Sequence, residues 1–276
     1  MEETSPLLWG AEREDTQELL KILVADLESY LSAEDLGVVE QAFRLAQDRH
    51  RPQIRASGEP YILHPIEVAT ILASYRLDPP TIAASLLHDT VEDTNTTLEE
   101  LTDAFGEEVK LLVDGVTKLT AISARQGREA PTPRSKQMAA AENLRKIFLA
   151  MTKDLRVILI KLADRLHNLR TLGNLRPEKQ KRIAGETLEI FAPIASRLGV
   201  FEMKRELEDL CFMYLYPEEH KELKDAVEGL AEVREAGLAK AVEMIEAKLE
   251  KLQINATLEW REEHLYSTFR KMERTG

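Results

Sequence analysis

The stretch His88-Asp89-Thr90-Val91-Glu92-Asp93-Thr94-Asn95 says most about how this chain folds and which chemistry it can carry. An adjacent His-Asp pair is followed four positions later by an adjacent Glu-Asp pair. Positions four apart stack on one face of an α-helix, so the spacing predicts that His88 lies beside Glu92 and Asp89 beside Asp93. A pair of metal ligands would then lie next to two carboxylates. This layout is typical of metal-assisted hydrolysis, in which a cation activates water and neighbouring acids move protons.

Helical periodicity extends over most of the chain around that stretch. Apolar residues recur three and four positions apart, so we predict an all-α fold. Pro65 suits the first position of a helix, and Thr97 with Glu100 forms a candidate capping box. Residues 254–259 (INATLE) offer a short alternating pattern that predicts a strand. The expected helices cover residues 14–31, 34–50, 65–76, 79–93, 97–113, 137–152, 154–173, 177–198, 201–215 and 217–252.

Length and composition describe a soluble globular protein. With 276 residues, of which 43% are hydrophobic and 31% charged, the chain can form one large domain or two small ones. No apolar run reaches the length of a membrane span, and residues 1–10 lack the features of a secretory signal. The single cysteine, Cys211, permits no internal disulfide and no thiolate cluster. We therefore expect a cytoplasmic protein without membrane contact.

The net charge of −12 argues against broad binding to a nucleic-acid backbone, which needs a positive surface. A small polyanion is not excluded, because charges more than about 10 Å apart are largely screened and a local cluster of Lys and Arg can outweigh an acidic exterior. Two segments rich in Gly and Pro interrupt the helical pattern. Residues 51–61 indicate a loop that enters a helix, whereas the basic segment 121–137 is either a loop that orders over bound phosphates or a solvated connection.

Two further residues can complete a metal site with His88 and Asp89. His64 stands at an expected helix start, and Asp164 follows the apolar run 157–160, where an ionised carboxylate near the core needs a partner such as a cation. The four residues make a mixed nitrogen and oxygen set, which suits a divalent first-row metal with waters in the remaining positions. Manganese, iron and zinc are all admissible by ligand type.

Four ordered motifs resemble a known family. They are residues 55–65 (RASGEPYILHP), 88–94 (HDTVEDT), 161–171 (KLADRLHNLRT) and 186–199 (ETLEIFAPIASRLG). Together, over most of residues 30–215, they resemble the hydrolase domain of the RelA/SpoT family. The resemblance implies an HD-type helical fold that holds one manganese ion (Mn2+) through His64, His88, Asp89 and Asp164. It also implies hydrolysis of the 3′-diphosphate of the alarmones ppGpp and pppGpp, which releases pyrophosphate with GDP or GTP.

The same resemblance gives Glu92 and Asp93 a catalytic role. They would orient or deprotonate the attacking water and relay a proton to the departing ribose oxygen. The structural alternative for this pair is a solvated acidic helix end. His167 is expected to be a supporting or core histidine rather than a ligand. The remaining histidines, expected at the surface or in structural positions, are His50, His220 and His264.

Contacts to the nucleotide are also implied by the resemblance. Arg55 and Ser57 would lie against the guanine base and nearby atoms, since a planar guanidinium can stack on a purine. Ala56 stands where many family members carry a basic residue, so a contact that depends on that charge is not expected here. The residues expected to hold the rest of the nucleotide are Asn168, Thr171 and Lys181, the last through a phosphate.

Residues 260–272 resemble the opening of the synthetase domain of bifunctional family members, although Trp260 stands where the family often has Gly. We therefore expect an HD-type hydrolase domain over residues 1–200, a helical linker over 201–252 and the beginning of a truncated α/β synthetase domain over 253–276. Synthetase activity would then be absent from this fragment. Its regulatory contacts would be with the missing synthetase and C-terminal domains.

Other function classes remain as alternatives. A different HD-type nucleotide phosphohydrolase would share the four ligands but not the Glu92–Asp93 pair in this setting. A non-catalytic guanine-nucleotide-binding regulatory module would keep Arg55 and Asn168 but lose a ligand or an acid, and all of these are present. A helical interaction protein built on residues 217–252 explains none of the ligands. We therefore predict a (p)ppGpp 3′-diphosphatase with (p)ppGpp, GDP and GTP as partners and no direct nucleic-acid binding.

Overall fold

The computed structural model describes residues 14–124, 153–260 and 262–275. In these residues the regular structure is helical, and the only pairing of extended backbone is an isolated bridge between Ile54 and Pro60. The predicted all-α fold is therefore confirmed. By its internal packing the chain divides into two compact units, Met1–Arg176 and Pro177–Gly276.

The described part of the first unit is built around two apolar helices. Its helices are α1 (Glu14–Glu28), α2 (Ala33–His50), α3 (Leu63–Ala73), α4 (Pro79–Leu87), α5 (Thr90–Asp93), α6 (Leu98–Ala124) and α7 (Leu155–Arg170). Because α3 and α4 are apolar almost all round, they lie at the centre: α3 packs on α1 and α7, and α4 on α2 and α6. Ile66, Ile82 and Leu86 are fully buried. Each such side chain contributes roughly 1.5–3 kcal/mol to folding.

Polar side chains fix several helix ends. The hydroxyl of Ser32 accepts from the backbone N–H of Asp35, whose carboxylate accepts from the backbone N–H of Ser32, so α2 begins with a complete capping box. At the start of α6 the hydroxyl of Thr97 accepts from the backbone N–H of Glu100 at 3.2 Å, as predicted. The Glu100 carboxylate, however, pairs with Arg49 of α2 and so links the two helices.

Some helix limits differ from the prediction. Helix α3 begins at Leu63, so Pro65 lies in the first turn, where a backbone N–H has no partner within the helix in any case. Helix α6 continues to Ala124, into the segment predicted as a loop, and bends at Gly106, whose φ is 82°. The expected helix over 137–152 and the remainder of the 121–137 segment lie outside the described residues.

The predicted continuous helix over 79–93 is wrong, because α4 ends at Leu87 and the one-turn helix α5 begins at Thr90. At this break, side chains bond the carbonyls of the preceding turn. The Nδ1 of His88 lies 2.7 Å from the Ser85 carbonyl, and the Thr90 hydroxyl donates to the Leu87 carbonyl at 2.7 Å. As a result the adjacent side chains of His88 and Asp89 meet, with Nε2 and Oδ2 3.2 Å apart.

The second unit consists of shorter helices and a cluster of aromatic rings. Its elements are α8 (Pro177–Glu186), a π-helical turn (Thr187–Phe191), α9 (Ala192–Leu198), α10 (Phe201–Leu215), α11 (Pro217–Gly229), α12 (Ala231–Lys251) and α13 (Leu265–Thr275). Phe269 of α13 stacks on the buried Phe212 of α10 with ring centroids 4.6 Å apart. His264, at the start of α13, pairs with Glu208 of α10 at 2.7 Å.

Two expectations for the second unit are wrong. The helix expected over 217–252 divides at Leu230 into α11 and α12. The strand expected over 254–259 is irregular backbone that is mostly exposed, and the described residues supply no strand to pair with it. Alternation of apolar and polar residues forms a strand only where a neighbouring strand takes up the backbone hydrogen bonds. A separate finding is that no described helix combines the length and the apolar character needed to cross a membrane.

Candidate metal centre

The four predicted ligands converge in the first unit from three separate elements. His64 comes from the first turn of α3, His88 and Asp89 from the turn between α4 and α5, and Asp164 from the middle of α7. The Nε2 of His64 lies 3.3 Å from Asp164 Oδ1 and 3.6 Å from Asp89 Oδ2. The Nε2 of His88 lies 3.9 Å from the same oxygen of Asp164. All but Asp89, which is partly exposed, are buried.

The chemistry of this donor set fits a divalent cation. One ligand atom each from His64, His88 and Asp89 lies within 4.8 Å of the others. His88 Nδ1 faces a carbonyl, which only accepts, so Nδ1 carries the hydrogen and Nε2 is left to face the cluster. That Nε2 is buried and has no hydrogen-bond partner among the described residues. A buried nitrogen without a partner is costly, and a cation between two imidazoles and two carboxylates would satisfy it.

Both carboxylates of the cluster are held in the ionised form. Burial disfavours the charge on Asp164, but the positive charge of Lys161 outweighs it and holds the pKa of Asp164 well below its usual range. The Lys161 ammonium donates to Asp164 Oδ2 at 2.6 Å and to the Thr120 hydroxyl at 2.9 Å. For Asp89 burial acts in the same opposing sense, but the positive charge of a protonated His88 lowers its pKa. A bound cation would displace that proton from His88 Nε2 and take over its effect on Asp89. The centre therefore presents negative charge to a cation.

The two acids of the opening stretch have different neighbours. Glu92 is an exposed residue as a whole, yet partial burial of its carboxyl and the charge of Asp89 raise its pKa to about 7, against the opposing effects of Lys161 and a hydrogen bond with Thr120. Asp93 instead accepts from the Tyr61 hydroxyl at 2.9 Å. One acid can therefore exchange a proton near neutral pH, while the other is oriented by a neighbouring phenol.

Tyr61 ties this second acid to a predicted ligand. Its single hydroxyl hydrogen is shared between Asp93 and Asp89 Oδ2, the latter at 2.7 Å, and its ring stacks on the buried ring of His50 with centroids 4.6 Å apart. Burial and the charge of Asp89 raise the pKa of Tyr61, so the phenol stays protonated and remains a donor. His50 in turn bonds Gln53, whose amide donates to the Asp93 carbonyl at 2.7 Å. His50 is thus a structural residue, as expected.

The predicted nucleotide contacts fall into two groups. Arg55 and Asn168 join the centre directly: Arg55 Nη2 donates to Asn168 Oδ1 at 2.8 Å, and the Asn168 amide donates to Asp164 Oδ1 at 2.5 Å. Thr171 donates to the carbonyl of His167 at 3.2 Å. Ser57 is exposed on the loop before α3, and Lys181 lies in the second unit. The nucleotide contacts expected of all five residues stay predictions.

A cavity of about 260 Å³ opens beside His167 and Thr171 at the end of α7. It is lined further by Leu19, Glu59, Leu63, Glu67 and Arg170. Burial, with His64 and Arg55 close by, lowers the pKa of His167 to about 3, so this ring is neutral. His167 therefore borders both the cavity and the cluster without adding charge to either.

Lys161 and Tyr61 were missed as functional residues in the sequence, although both lie inside the quoted motifs. Lys161 precedes Asp164 by three positions and so shares its helical face, and Tyr61 precedes His64 by three. That spacing was the available signal. A lysine or tyrosine at such a distance is more often solvated, and only the burial of Lys161 and the paired bonds of Tyr61 reveal the role.

The described helices of the first unit therefore enclose a buried His-Asp cluster with two acids nearby. The family model described as HD domain matches residues 42–201, which is more than half of the chain. The chain belongs to the HD domain family.

Named relatives confirm the resemblance stated from the motifs. The chain is 46% identical over 246 residues to the bifunctional (p)ppGpp synthase/hydrolase SpoT of Escherichia coli (strain K12). This match covers 89% of this chain and 34% of SpoT. It is 45% identical over 257 residues to a guanosine-3′,5′-bis(diphosphate) 3′-pyrophosphohydrolase of Aquifex aeolicus (strain VF5), covering 92% and 35%. The probable GTP pyrophosphokinase of Mycobacterium leprae (strain TN) is 45% identical over 262 residues, covering 95% and 32%. The chain thus spans about a third of the length of the curated relatives it matches.

One solved structure, titled as a metazoan ortholog of SpoT that hydrolyzes ppGpp and plays a role in starvation responses, is 27% identical and covers 66% of this chain and 87% of its own. Its TM-score is 0.40.

Proposed function

We propose that this chain removes the 3′-diphosphate from (p)ppGpp and releases pyrophosphate with GDP or GTP. The observation that carries the proposal is the convergence of two buried imidazoles and two ionised carboxylates from three separate motifs. The names of relatives about 46% identical supply the substrate class. In this proposal His64, His88, Asp89 and Asp164 hold the cation, and manganese is the cation expected from the family resemblance.

A divalent cation in this centre supplies two things when bound: it polarises a phosphoryl oxygen and lowers the pKa of a water. The protein's own proton acceptor is Glu92. Its carboxyl has a pKa of about 7 and reaches solvent, so it can take a proton from water and return it within one turnover near neutral pH. A carboxylate with an ordinary pKa would be a weaker base at the same position.

Asp93 is proposed to act on the leaving group. Its Oδ2 accepts from Tyr61, which also bonds the ligand Asp89, so the orientation of Asp93 is set relative to the cation site. The Gln53 amide holds the backbone of the same residue through its carbonyl. Gln53 and Tyr61, both in the segment before α3, therefore fix the position of Asp93. Transfer of a proton to one particular oxygen requires an acid that is held in this way.

Arg55 and Asn168 are proposed to recognise the nucleotide. The Arg55 guanidinium lies 6.0 Å from the centroid of the Tyr61 ring and is bonded to Asn168 at 2.8 Å. A bound purine can take the place of the Tyr61 ring or of Asn168 against Arg55, because a planar guanidinium both stacks on rings and donates hydrogen bonds. Ser57 and Thr171 would add contacts to the base and sugar, and Lys181 a contact to a phosphate.

The proposal includes the organisation and setting of the longer protein. Residues 1–200 would form the hydrolase domain, 201–252 a helical linker and 253–276 the start of a synthetase domain. Regulatory contact would come from the synthetase and C-terminal domains that the family resemblance implies. A cytoplasmic location, without direct binding to nucleic acid, completes this account.

The test is incubation of the purified chain with ppGpp, AMP and a cyclic nucleotide, each with Mn2+ and with a chelator, followed by product analysis. We expect pyrophosphate and GDP from ppGpp alone, and none after chelation. Turnover of AMP or the cyclic nucleotide in place of ppGpp would assign another HD-type phosphohydrolase activity. Binding of ppGpp without any turnover would assign the regulatory module.

A further inference from the structure

The two histidines of the centre are oriented by partners of different kinds. His88 Nδ1 bonds the Ser85 carbonyl at 2.7 Å, and this acceptor belongs to the backbone of a packed helix. His64 Nδ1 instead lies 2.6 Å from Nδ1 of His167, a side chain on α7. The orientation of His64 therefore depends on a residue that has contacts of its own.

The direction of the hydrogen bond between the two rings follows from a third residue. Arg55 Nη1 lies 3.2 Å from the same Nδ1 of His167, and a guanidinium nitrogen can only donate. His167 Nδ1 is therefore the acceptor, and His64 Nδ1 carries the hydrogen. The lone pair of His64 then lies on Nε2, the nitrogen that faces Asp89 and Asp164.

Arg55 also reaches a second ligand. Its Nη2 donates to Asn168 Oδ1, and the Asn168 amide donates to Oδ1 of Asp164, the oxygen that faces both imidazoles. A single guanidinium thus contacts two side chains, His167 and Asn168, and each of these bonds a proposed ligand of the centre. The side chain of Arg55 is half-buried, so a molecule that enters from solvent can engage it.

We propose that His167 is a positioning residue that fixes the tautomer of His64, and that Arg55, by sharing the His167 lone pair, couples ligand binding to cation binding. The His167 part rests only on the centre itself, whereas the coupling rests on the proposed function, since it takes Arg55 to contact the nucleotide. Neither part requires that the nucleotide be hydrolysed.

His167 and Arg55 are predicted to change the affinity for the cation in opposite directions. Without His167 the hydrogen on His64 has no acceptor, and the ring can carry it on Nε2, where a cation needs a lone pair. Arg55 acts in the opposite direction, because it competes for the acceptor and adds positive charge near the centre. A nucleotide that draws Arg55 away should strengthen cation binding. By linkage the cation should then strengthen nucleotide binding by the same factor.

The experiment is a titration of the chain with Mn2+ alone, in which electron paramagnetic resonance measures the free ion. We expect His167→Ala to raise the Kd for Mn2+ by about 10–100-fold, the usual effect of removing the partner of a ligating histidine. His167→Asn, whose amide oxygen takes the place of Nδ1, should restore most of the affinity. A Kd for His167→Ala equal to that of the unchanged chain would overturn the proposal, as would a His167→Asn protein as weak as His167→Ala.

Two further measurements complete the test. The first shows whether His167 sets the tautomer of His64 or only packs against it, and the second tests the role of Arg55 without any hydrolysis. Long-range 1H–15N spectra of the cation-free chain should show the hydrogen of His64 on Nδ1; a hydrogen on Nε2 contradicts the proposal even if His167→Ala fails to fold. Arg55→Gln should bind Mn2+ at least as tightly as the unchanged chain, and weaker binding would overturn the coupling. Because these arms contain no nucleotide, they can succeed where ppGpp hydrolysis fails, and the reverse also holds.

Discussion

The α4–α5 turn and the middle of α7 each bring a proposed acidic ligand to the centre, but by opposite means. In α7 the helix is regular, and Lys161, Asp164 and Asn168 share one face because they lie three and four positions apart. In the turn the helix stops, and His88 and Asp89 meet although they are neighbours in sequence. A regular helix can align only residues that are a turn apart, so an adjacent pair of ligands requires a break.

The largest effect should come from the turn. His88→Ala removes a proposed ligand whose position is set by the backbone and whose Nε2 has no hydrogen-bond partner among the described residues. We expect Mn2+ affinity to fall by more than about 100-fold, beyond the range for a supporting residue, and turnover of ppGpp to disappear with it. Equilibrium dialysis with Mn2+ measures the first and product release the second.

His220→Gln, a histidine change in the second unit, is the matched control and should leave both values unchanged. Retention of one bound Mn2+ by His88→Ala would show that the turn is not a cation site.

Glu92→Gln should lower turnover without lowering the affinity for the cation. Removing a proton acceptor costs about 10²–10⁴-fold in turnover, while cation binding should stay close to that of the unchanged chain. Single-turnover assays with ppGpp, together with Mn2+ titration, give the two numbers. Glu99→Gln, an exposed acid at the start of α6, serves as the control. Loss of the cation in Glu92→Gln would make that residue a ligand instead.

For α7 the expected effect is on stability. Lys161→Met leaves the buried Asp164 carboxylate without its ammonium partner, a change that costs about 3–5 kcal/mol of unfolding free energy. Urea unfolding in the presence of chelator measures this. The double change Lys161→Met with Asp164→Asn should regain part of the loss, because no buried charge is then left alone. A Lys161→Met protein as stable as the unchanged chain would show that the α7 face is solvated.

A pH profile tests the raised pKa of Glu92. Glu92 must be ionised to accept a proton, and partial burial and Asp89 raise its pKa to about 7. We therefore expect kcat/KM to rise about tenfold from pH 6 to pH 8, since the ionised fraction rises through that range. If the residual activity of Glu92→Gln shows the same rise, another group is responsible for it.

The smallest effect is expected at Tyr61. Tyr61→Phe removes the hydrogen bonds to Asp89 and Asp93 but keeps the ring that stacks on His50. The phenol is partly exposed, so we expect a loss of about 1 kcal/mol, or roughly fivefold in kcat, with little change in stability. A change in KM alone, with kcat constant, would place Tyr61 in substrate binding rather than in orientation of the acid.

The α4–α5 turn and α7 also differ in how well the sequence predicts them. Periodicity predicted a helix over 154–173, and α7 spans Leu155–Arg170, because a regular helix maps spacing directly onto geometry. It failed at His88 and at Leu230, where helices end through local side-chain and backbone bonds that hydrophobic spacing does not report. It also failed at residues 254–259, since a strand depends on a partner elsewhere in the chain.

The candidate site was predicted in its chemistry but not in its connections. The types and order of His64, His88, Asp89 and Asp164 indicated a mixed nitrogen and oxygen set before any geometry. The bond between His64 and His167 joins positions 103 residues apart, and no local pattern contains it. The residues that orient a ligand, rather than bind the cation, were therefore the part that required the structure.

The central claim is that one cation sits where the α4–α5 turn meets α7. The most direct measurement is anomalous diffraction at the manganese absorption edge from crystals of this chain grown with Mn2+. We predict a single anomalous peak within coordination distance of His64 Nε2, His88 Nε2, Asp89 and Asp164. An ordered, well-resolved site without a peak, or a peak held by Glu92 and Asp93 instead, would contradict the account.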